Sequence, residues 1–107
     1  AWGAGRGASS LVYLTMGTGI GTGLLVEGRR VHGRLHPEGG HLRLGAASDG
    51  FAGACLFHGN CVEGLLSGPA LARRFGCDPA TVGPNDPRWD GPATDLARFL
   101  STLLLLL

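Results

Sequence analysis

Residues 36–63 read HPEGGHLRLGAASDGFAGACLFHGNCVE, and the spacing of four side chains within them decides how the rest of the chain is read. His41 is followed after thirteen residues by Cys55, after two more by His58, and after another two by Cys61. Two thiols and two imidazoles are the soft and borderline donors that a tetrahedral zinc ion takes. Four protein ligands leave no position for a catalytic water, so the expected zinc is structural. The intervening stretch is rich in glycine and has little periodicity, and packing alone is not expected to hold its shape; metal binding would supply the folding free energy. Glu38 and Glu63 lie three and two residues outside the outermost ligands, and a loop closed by metal would fix both carboxylates. The competing readings are chance, or a disulfide between Cys55 and Cys61. A disulfide leaves His41 and His58 without a role.

The length of 107 residues is that of one small domain, and 44% hydrophobic with 16% charged residues is a globular composition, not a disordered one. A net charge of +1 creates no field for nucleic acid or a membrane surface, so neither is an expected partner. The chain begins at Ala1-Trp2-Gly3 without an initiator methionine and stops inside a run of leucines at 103–107. Both ends are expected to be cuts within a longer protein. Five leucines fall far short of the ~20 apolar residues of a membrane span. With two of three cysteines assigned to metal, a reducing cytoplasm is the expected setting, and Cys77 is a spare thiol packed against its neighbours.

Upstream of the cluster, residues 11–16 (LVYLTM) have no strict alternation and predict a strand covered on both faces. Gly17-Thr18-Gly19-Ile20-Gly21-Thr22-Gly23 follows, then short strands at 24–26 and 30–32 joined through Glu27-Gly28, a dipeptide suited to a tight hairpin. The glycine run opens no helix and is not followed by Lys-Ser or Lys-Thr, so it meets neither the Rossmann nor the Walker pattern. A glycine turn between strands can still bring backbone N–H groups to phosphate oxygens, with Thr18 adding a hydroxyl; the alternative is a hairpin without a ligand.

Downstream, Ser67-Gly68-Pro69 starts a short helix that ends at Gly76: serine as N-cap, proline in the first turn, glycine at the C-terminus. Its free N–H groups form a ready anion site or belong to an ordinary capped helix. Residues 77–91 read as a loop with Trp89 as a packing anchor. A helix from Ala93 places Leu96, Phe99, Leu100, Leu103, Leu104 and Leu107 on one face, opposite Asp95, Arg98, Ser101 and Thr102.

Taken together, LVYLTMGTGIGTG, HPEGGH and CLFHGNCVEGLLSGPA, in that order, resemble the ROK family (repressor, open reading frame, kinase), most closely its fructokinase branch. The resemblance implies an α/β chain forming part of an actin-like, hexokinase-type (ribonuclease H-like) ATPase fold with a zinc-binding loop. In its terms residues 11–33 are strands and a phosphate-binding hairpin, residues 36–63 the zinc and sugar loop, and residues 64–107 the helical part. It implies zinc on His41, Cys55, His58 and Cys61, the sugar at Glu38, His41 and Glu63, and the nucleotide at Gly17, Thr18, Gly19, Gly21 and Pro69. Gly39 departs from the pattern, since fructokinases usually carry a bulkier residue there, and it is expected to loosen the loop.

The activity so implied is transfer of the γ-phosphoryl group of ATP, with Mg²⁺, to a hexose, first of all fructose, by a cytoplasmic homodimer. Glucokinase or mannokinase activity, a sugar-responsive repressor and a zinc-stabilised interaction module are the alternatives. No residue in the chain is a credible general base, so the chain alone is expected to be inactive. The family's first phosphate loop and catalytic aspartate are expected before residue 1, and its adenosine-binding motif after residue 107.

Overall fold

The computed structural model describes residues 2–34 and 36–107. Its sheet has three antiparallel strands in sequence order, β1 (Leu11–Met16), β2 (Ile20–Val26) and β3 (Arg29–Arg30). β2 begins at Ile20, four residues before the expected start. The glycine run continues into a strand because Gly21 and Gly23 pair with Thr15 and Tyr13. A Cβ on Gly21 would stand 2.7 Å from Thr15 Oγ1, so the missing side chain makes room for that of Thr15. Glu27 and Gly28, with φ of 50° and 73°, form the two-residue turn into β3. Both central residues in the left-handed region is the turn whose twist suits a hairpin.

β1 is covered on one face only, not on both. Val12 and Leu14 pack against the core, while Tyr13 is 64% exposed on the opposite face. The core joins Ile20 of β2, Ala47, Val62, Leu65 and Leu66 of α1 (Val62–Leu66), and Phe99 and Leu103 of α3 (Asp90–Leu106). Between α1 and α3 lies α2 (Gly68–Phe75), capped as expected: Ser67 Oγ accepts from Ala70 N at 3.3 Å, and Gly76 closes the helix at φ 71°.

The segment between α2 and α3 is more ordered than a plain loop. It contains two 3-10 turns, Pro79–Thr81 and Pro87–Trp89, capped by Asp78 and Asp86. The Arg88 guanidinium holds the Asp86 carboxyl at about 2. Trp89 anchors the segment edge-on to Phe75, with ring centroids 4.8 Å apart.

α3 starts three residues earlier than expected, and Asp95 is not on its solvent face. Asp95 is 1% exposed. Its Oδ2 accepts from Arg74 Nη2 at 2.7 Å and its Oδ1 from Ser48 N at 3.1 Å. Helical periodicity assigns a carboxylate to water; a buried guanidinium on α2 is what draws it inward. Arg74 also donates to Asp49 Oδ2 at 2.7 Å and to the Leu65 carbonyl at 3.1 Å, and lies over the Phe51 ring. The hydrogen bond from Arg74 is the main reason the Asp49 carboxyl sits below its ordinary value. Leu104, 75% exposed, lies outside the core although it was expected on the apolar face.

Candidate functional site

Three segments bring the four predicted ligands together. The first is the 3-10 turn Gly39–His41, laid against β2. A Cβ on Gly40 would run into the Ile20 carbonyl, so only glycine allows this approach. The second is a knuckle at 55–59, in which Cys55 and Gly59 exchange both backbone hydrogen bonds, 3.1 and 2.9 Å. Gly59 takes φ 62° to close it, a conformation that costs glycine least. The third is the start of α1, where Cys61 is the N-cap and is fully buried.

Backbone bonds tie the segments to each other: Val62 N donates to Leu42 O at 2.9 Å, and Ala54 N to Gly64 O at 2.8 Å. Asn60 Nδ2 adds a bond to Gly45 O at 2.9 Å. Leu44, Ala47 and Phe51 also pack on the core, so the intervening stretch has more packing than its composition promises.

The donor atoms of His41, Cys55, His58 and Cys61 all lie within 4.8 Å of one another. His41 Nδ1 is 3.6 Å from Cys61 Sγ and 4.0 Å from Cys55 Sγ, and His58 Nδ1 is 3.8 Å from Cys55 Sγ. Zinc bonds of about 2.3 Å to sulfur and about 2.0–2.1 Å to nitrogen, at tetrahedral angles, put donors roughly 3.3–3.8 Å apart. These three pairs fit such an ion with shifts of a few tenths of an ångström, and a donor pair at the full 4.8 Å spread would close by about 1 Å. Cys55 and Cys61 are free thiols. Burial pushes the Cys61 thiol up. Burial also raises the Cys55 thiol, but the backbone N–H groups of His58 and Phe57 and the Cys61 thiol outweigh it, and the net direction is down. The more exposed sulfur is therefore the first to become a thiolate, the form that ligates metal.

Glu63, two residues past Cys61, turns towards the sheet. Its Oε2 accepts from Ile20 N at 3.0 Å and fills the space beside Gly19, where a Cβ would come within 2.8 Å. The carboxylate thus joins the Cys/His cluster to the turn Gly17-Thr18-Gly19 between β1 and β2. The same turn meets α2, since Gly68 N donates to Gly17 O at 2.8 Å. Gly17, Thr18, Gly68 and Pro69 line one recess of about 780 Å³. Thr18, Glu63, Ser67 and Pro69 border a smaller one of about 150 Å³ beside the Cys55 knuckle. Gly21 is not brought to this turn; its N–H lies within β2 and donates to Thr15 Oγ1 at 3.1 Å. Glu38 lies just before the 3-10 turn, side chain exposed, with its carbonyl accepting from His41 N at 2.9 Å.

The ROK family model matches residues 1–88. The chain belongs to the ROK family. It is 39% identical over 107 residues to a putative fructokinase of Bacillus subtilis, covering 99% of this chain and 36% of the relative. It is 47% identical over 78 residues to a fructokinase of Zymomonas mobilis, covering 70% and 26% respectively. The crystal structure of a ROK hexokinase from Thermus thermophilus superposes with a TM-score of 0.66 at 27% identity, over 96% of this chain and 39% of that one. The architecture of this ROK chain is accordingly part of the actin-like, hexokinase-type α/β fold, and the chain spans little more than a third of these relatives at most.

Two side chains that tie these segments together carry no motif. Thr22 donates its hydroxyl to Pro37 O at 3.0 Å and accepts from Gly39 N at 3.1 Å. A Cβ on Gly39 would lie 2.5 Å from Thr22 Cγ2. Gly39 therefore does not loosen the loop; it admits the side chain that ties the loop down. Arg74 is the other, holding α1 by the Leu65 carbonyl.

Proposed function

We propose that the chain is the zinc-loop and phosphate-turn portion of an ATP- and Mg²⁺-dependent hexose kinase, with fructose as the hexose. One observation carries the reading: the Glu63 carboxylate bonds to the peptide that follows the Gly17-Thr18-Gly19 turn and lies two residues from a buried metal-type cysteine. A kinase must bring sugar and γ-phosphate together, because phosphoryl transfer depends on positioning and charge stabilisation. Similarity to fructokinases supports the choice of hexose.

In this reading zinc on His41, Cys55, His58 and Cys61 is structural, and fixes His41 and Glu63 relative to each other. Glu38, His41 and Glu63 hold sugar hydroxyls; paired carboxylates accept hydrogen bonds from neighbouring hydroxyls and reject analogues that lack them. Thr18 and the Gly17-Thr18-Gly19 turn face the phosphates; Pro69 borders them without donating, because Gly68 N and Ala70 N at that end of α2 already bond to Gly17 O and Ser67 Oγ. The general base is supplied from outside these residues. No described helix is long and apolar enough to cross a membrane, and a cytoplasmic homodimer that binds neither nucleic acid nor membrane completes the proposal.

The test is ADP release with fructose, glucose and mannose. The whole protein is expected to phosphorylate fructose best, and the 107-residue chain alone to be inactive. Glu63→Gln should cost about 10–100-fold in kcat/KM, the value of one hydrogen bond to a charged group. Fructose turnover unchanged by this substitution would overturn the reading of the site.

A further inference from the structure

Glu38 occupies an unusual place on the backbone. Its φ of −93° and ψ of 50° lie near the inverse γ-turn, in which the carbonyl before a residue bonds directly to the N–H after it. Here that bond would run from Gly39 N to Pro37 O. Instead, a single hydroxyl stands between them, with Thr22 Oγ1 accepting from Gly39 N and donating to Pro37 O. Both peptide groups that bracket Glu38 are therefore anchored to one atom of β2. That atom is itself well placed: the register Leu14↔Thr22 fixes the backbone beneath it, and a β-branched side chain is stiff at χ1. Pro37 fixes its own φ and removes one more freedom. The glycine at 39 is part of the same device. Its φ is not in the left-handed region, so the need for glycine is one of space, and the space is filled by the Thr22 methyl and hydroxyl.

We propose that Thr22 is a positioning residue for hexose binding: its hydroxyl holds the peptides on either side of Glu38 and so aims the carboxylate at the sugar. The inference rests on the reading of Glu38 as a sugar ligand. It assigns to Thr22 no contact with substrate. It also makes Thr22 and Gly39 a coupled pair, in which a side chain at 39 and a threonine at 22 exclude each other.

The experiment compares Thr22→Val, Thr22→Ser, Gly39→Ala and Glu38→Gln in the whole protein, with KM measured separately for fructose and for ATP and bound zinc measured in each variant. Valine keeps the shape and loses the hydroxyl; serine keeps the hydroxyl and loses the methyl. Glu38→Gln should raise the fructose KM about 10-fold or more, as loss of a charged hydrogen bond does, and Thr22→Val about 10-fold. Thr22→Ser should stay within about twofold of the parent, while the ATP KM and zinc content should be unchanged throughout. Gly39→Ala should raise the fructose KM in the parent, and only somewhat less beside Thr22→Ser, where the contact with the methyl is gone but that with Oγ1 at 2.6 Å stays. If Glu38→Gln leaves the fructose KM alone, the sugar-ligand reading fails and this inference with it. If Glu38→Gln acts but Thr22→Val does not, the inference alone is overturned. Equal losses in Thr22→Val and Thr22→Ser, or parallel rises in both KM values, would show a merely structural role and overturn it as well. Should Thr22→Val not fold, Thr22→Ala, which also removes the hydroxyl, takes its place in the same comparison.

Discussion

Cys61→Ser in the whole protein is expected to abolish stoichiometric metal binding, from one zinc per chain to none by metal analysis, and to loosen the knuckle at 55–59. The substitution is almost isosteric, so the cavity cost at this fully buried position is small. What is lost is the ligand. A structural zinc site carries apparent binding free energies of about 10–16 kcal/mol in small zinc domains, and that energy is folding energy where the site does not exist in the unfolded chain. Loss of one of four ligands should then destabilise by roughly 3 kcal/mol or more. Cys61 is also the residue from which α1 starts, and Val62 N bonds to Leu42 O, so the effect should spread to Glu63. His58→Ala should lower zinc affinity with a smaller loss of stability, because His58 is exposed at the edge of the cluster. Chelator treatment of the parent should reproduce Cys61→Ser, and added zinc should reverse the chelator but not the mutation. One zinc per chain retained in Cys61→Ser would remove the metal from the account.

The features legible in the sequence are those whose cause is local or whose spacing is dictated by chemistry. Ser67, Pro69 and Gly76 announce α2 because capping needs particular residues at fixed offsets. Glu27-Gly28 announces the hairpin for the same kind of reason. The grouping of His41, Cys55, His58 and Cys61 was legible because a tetrahedral ion tolerates few donor types. The misreadings arise where a partner distant in sequence decides. Asp95 is buried by Arg74, 21 residues away, and by Ser48, 47 away. The strand at 20–23 forms by pairing with residues 13–16 of β1, where Thr15 fills the space that Gly21 leaves. Gly39 looked like a loosening because its neighbour Thr22 lies 17 residues back in the chain, with no motif to mark it.

Asp95→Ala is expected to be among the most destabilising single substitutions in the chain. Arg74 and Asp95 have side chains 2% and 1% exposed, and their ion pair is 2.7 Å long. Removing one partner of a buried pair typically costs 3–5 kcal/mol, since it leaves an uncompensated charge where water does not reach. Against a total stability of about 5–15 kcal/mol for a domain, that is a large share. Asp49 is only a partial substitute for Asp95 because its side chain is 40% exposed and already engaged with Arg74 Nε. The Ser48 N–H, which now donates to Asp95 Oδ1, would also be left without its acceptor. Asp95→Asn should lose less, because its amide can still accept from Ser48. Replacement of both charges, Arg74→Met with Asp95→Leu, should recover most of the loss, as apolar substitutes of similar volume often match or exceed a buried pair. Denaturant midpoints with unchanged slopes are the measurement. The double substitution separates stability from site geometry, because it restores packing but not the bond from Arg74 Nη1 to the Leu65 carbonyl at the end of α1. If that bond holds Cys61 and Glu63 in place, the double variant should regain its denaturation midpoint while losing zinc to a chelator faster than the parent. Equal zinc loss from the two proteins would confine the ion pair to stability.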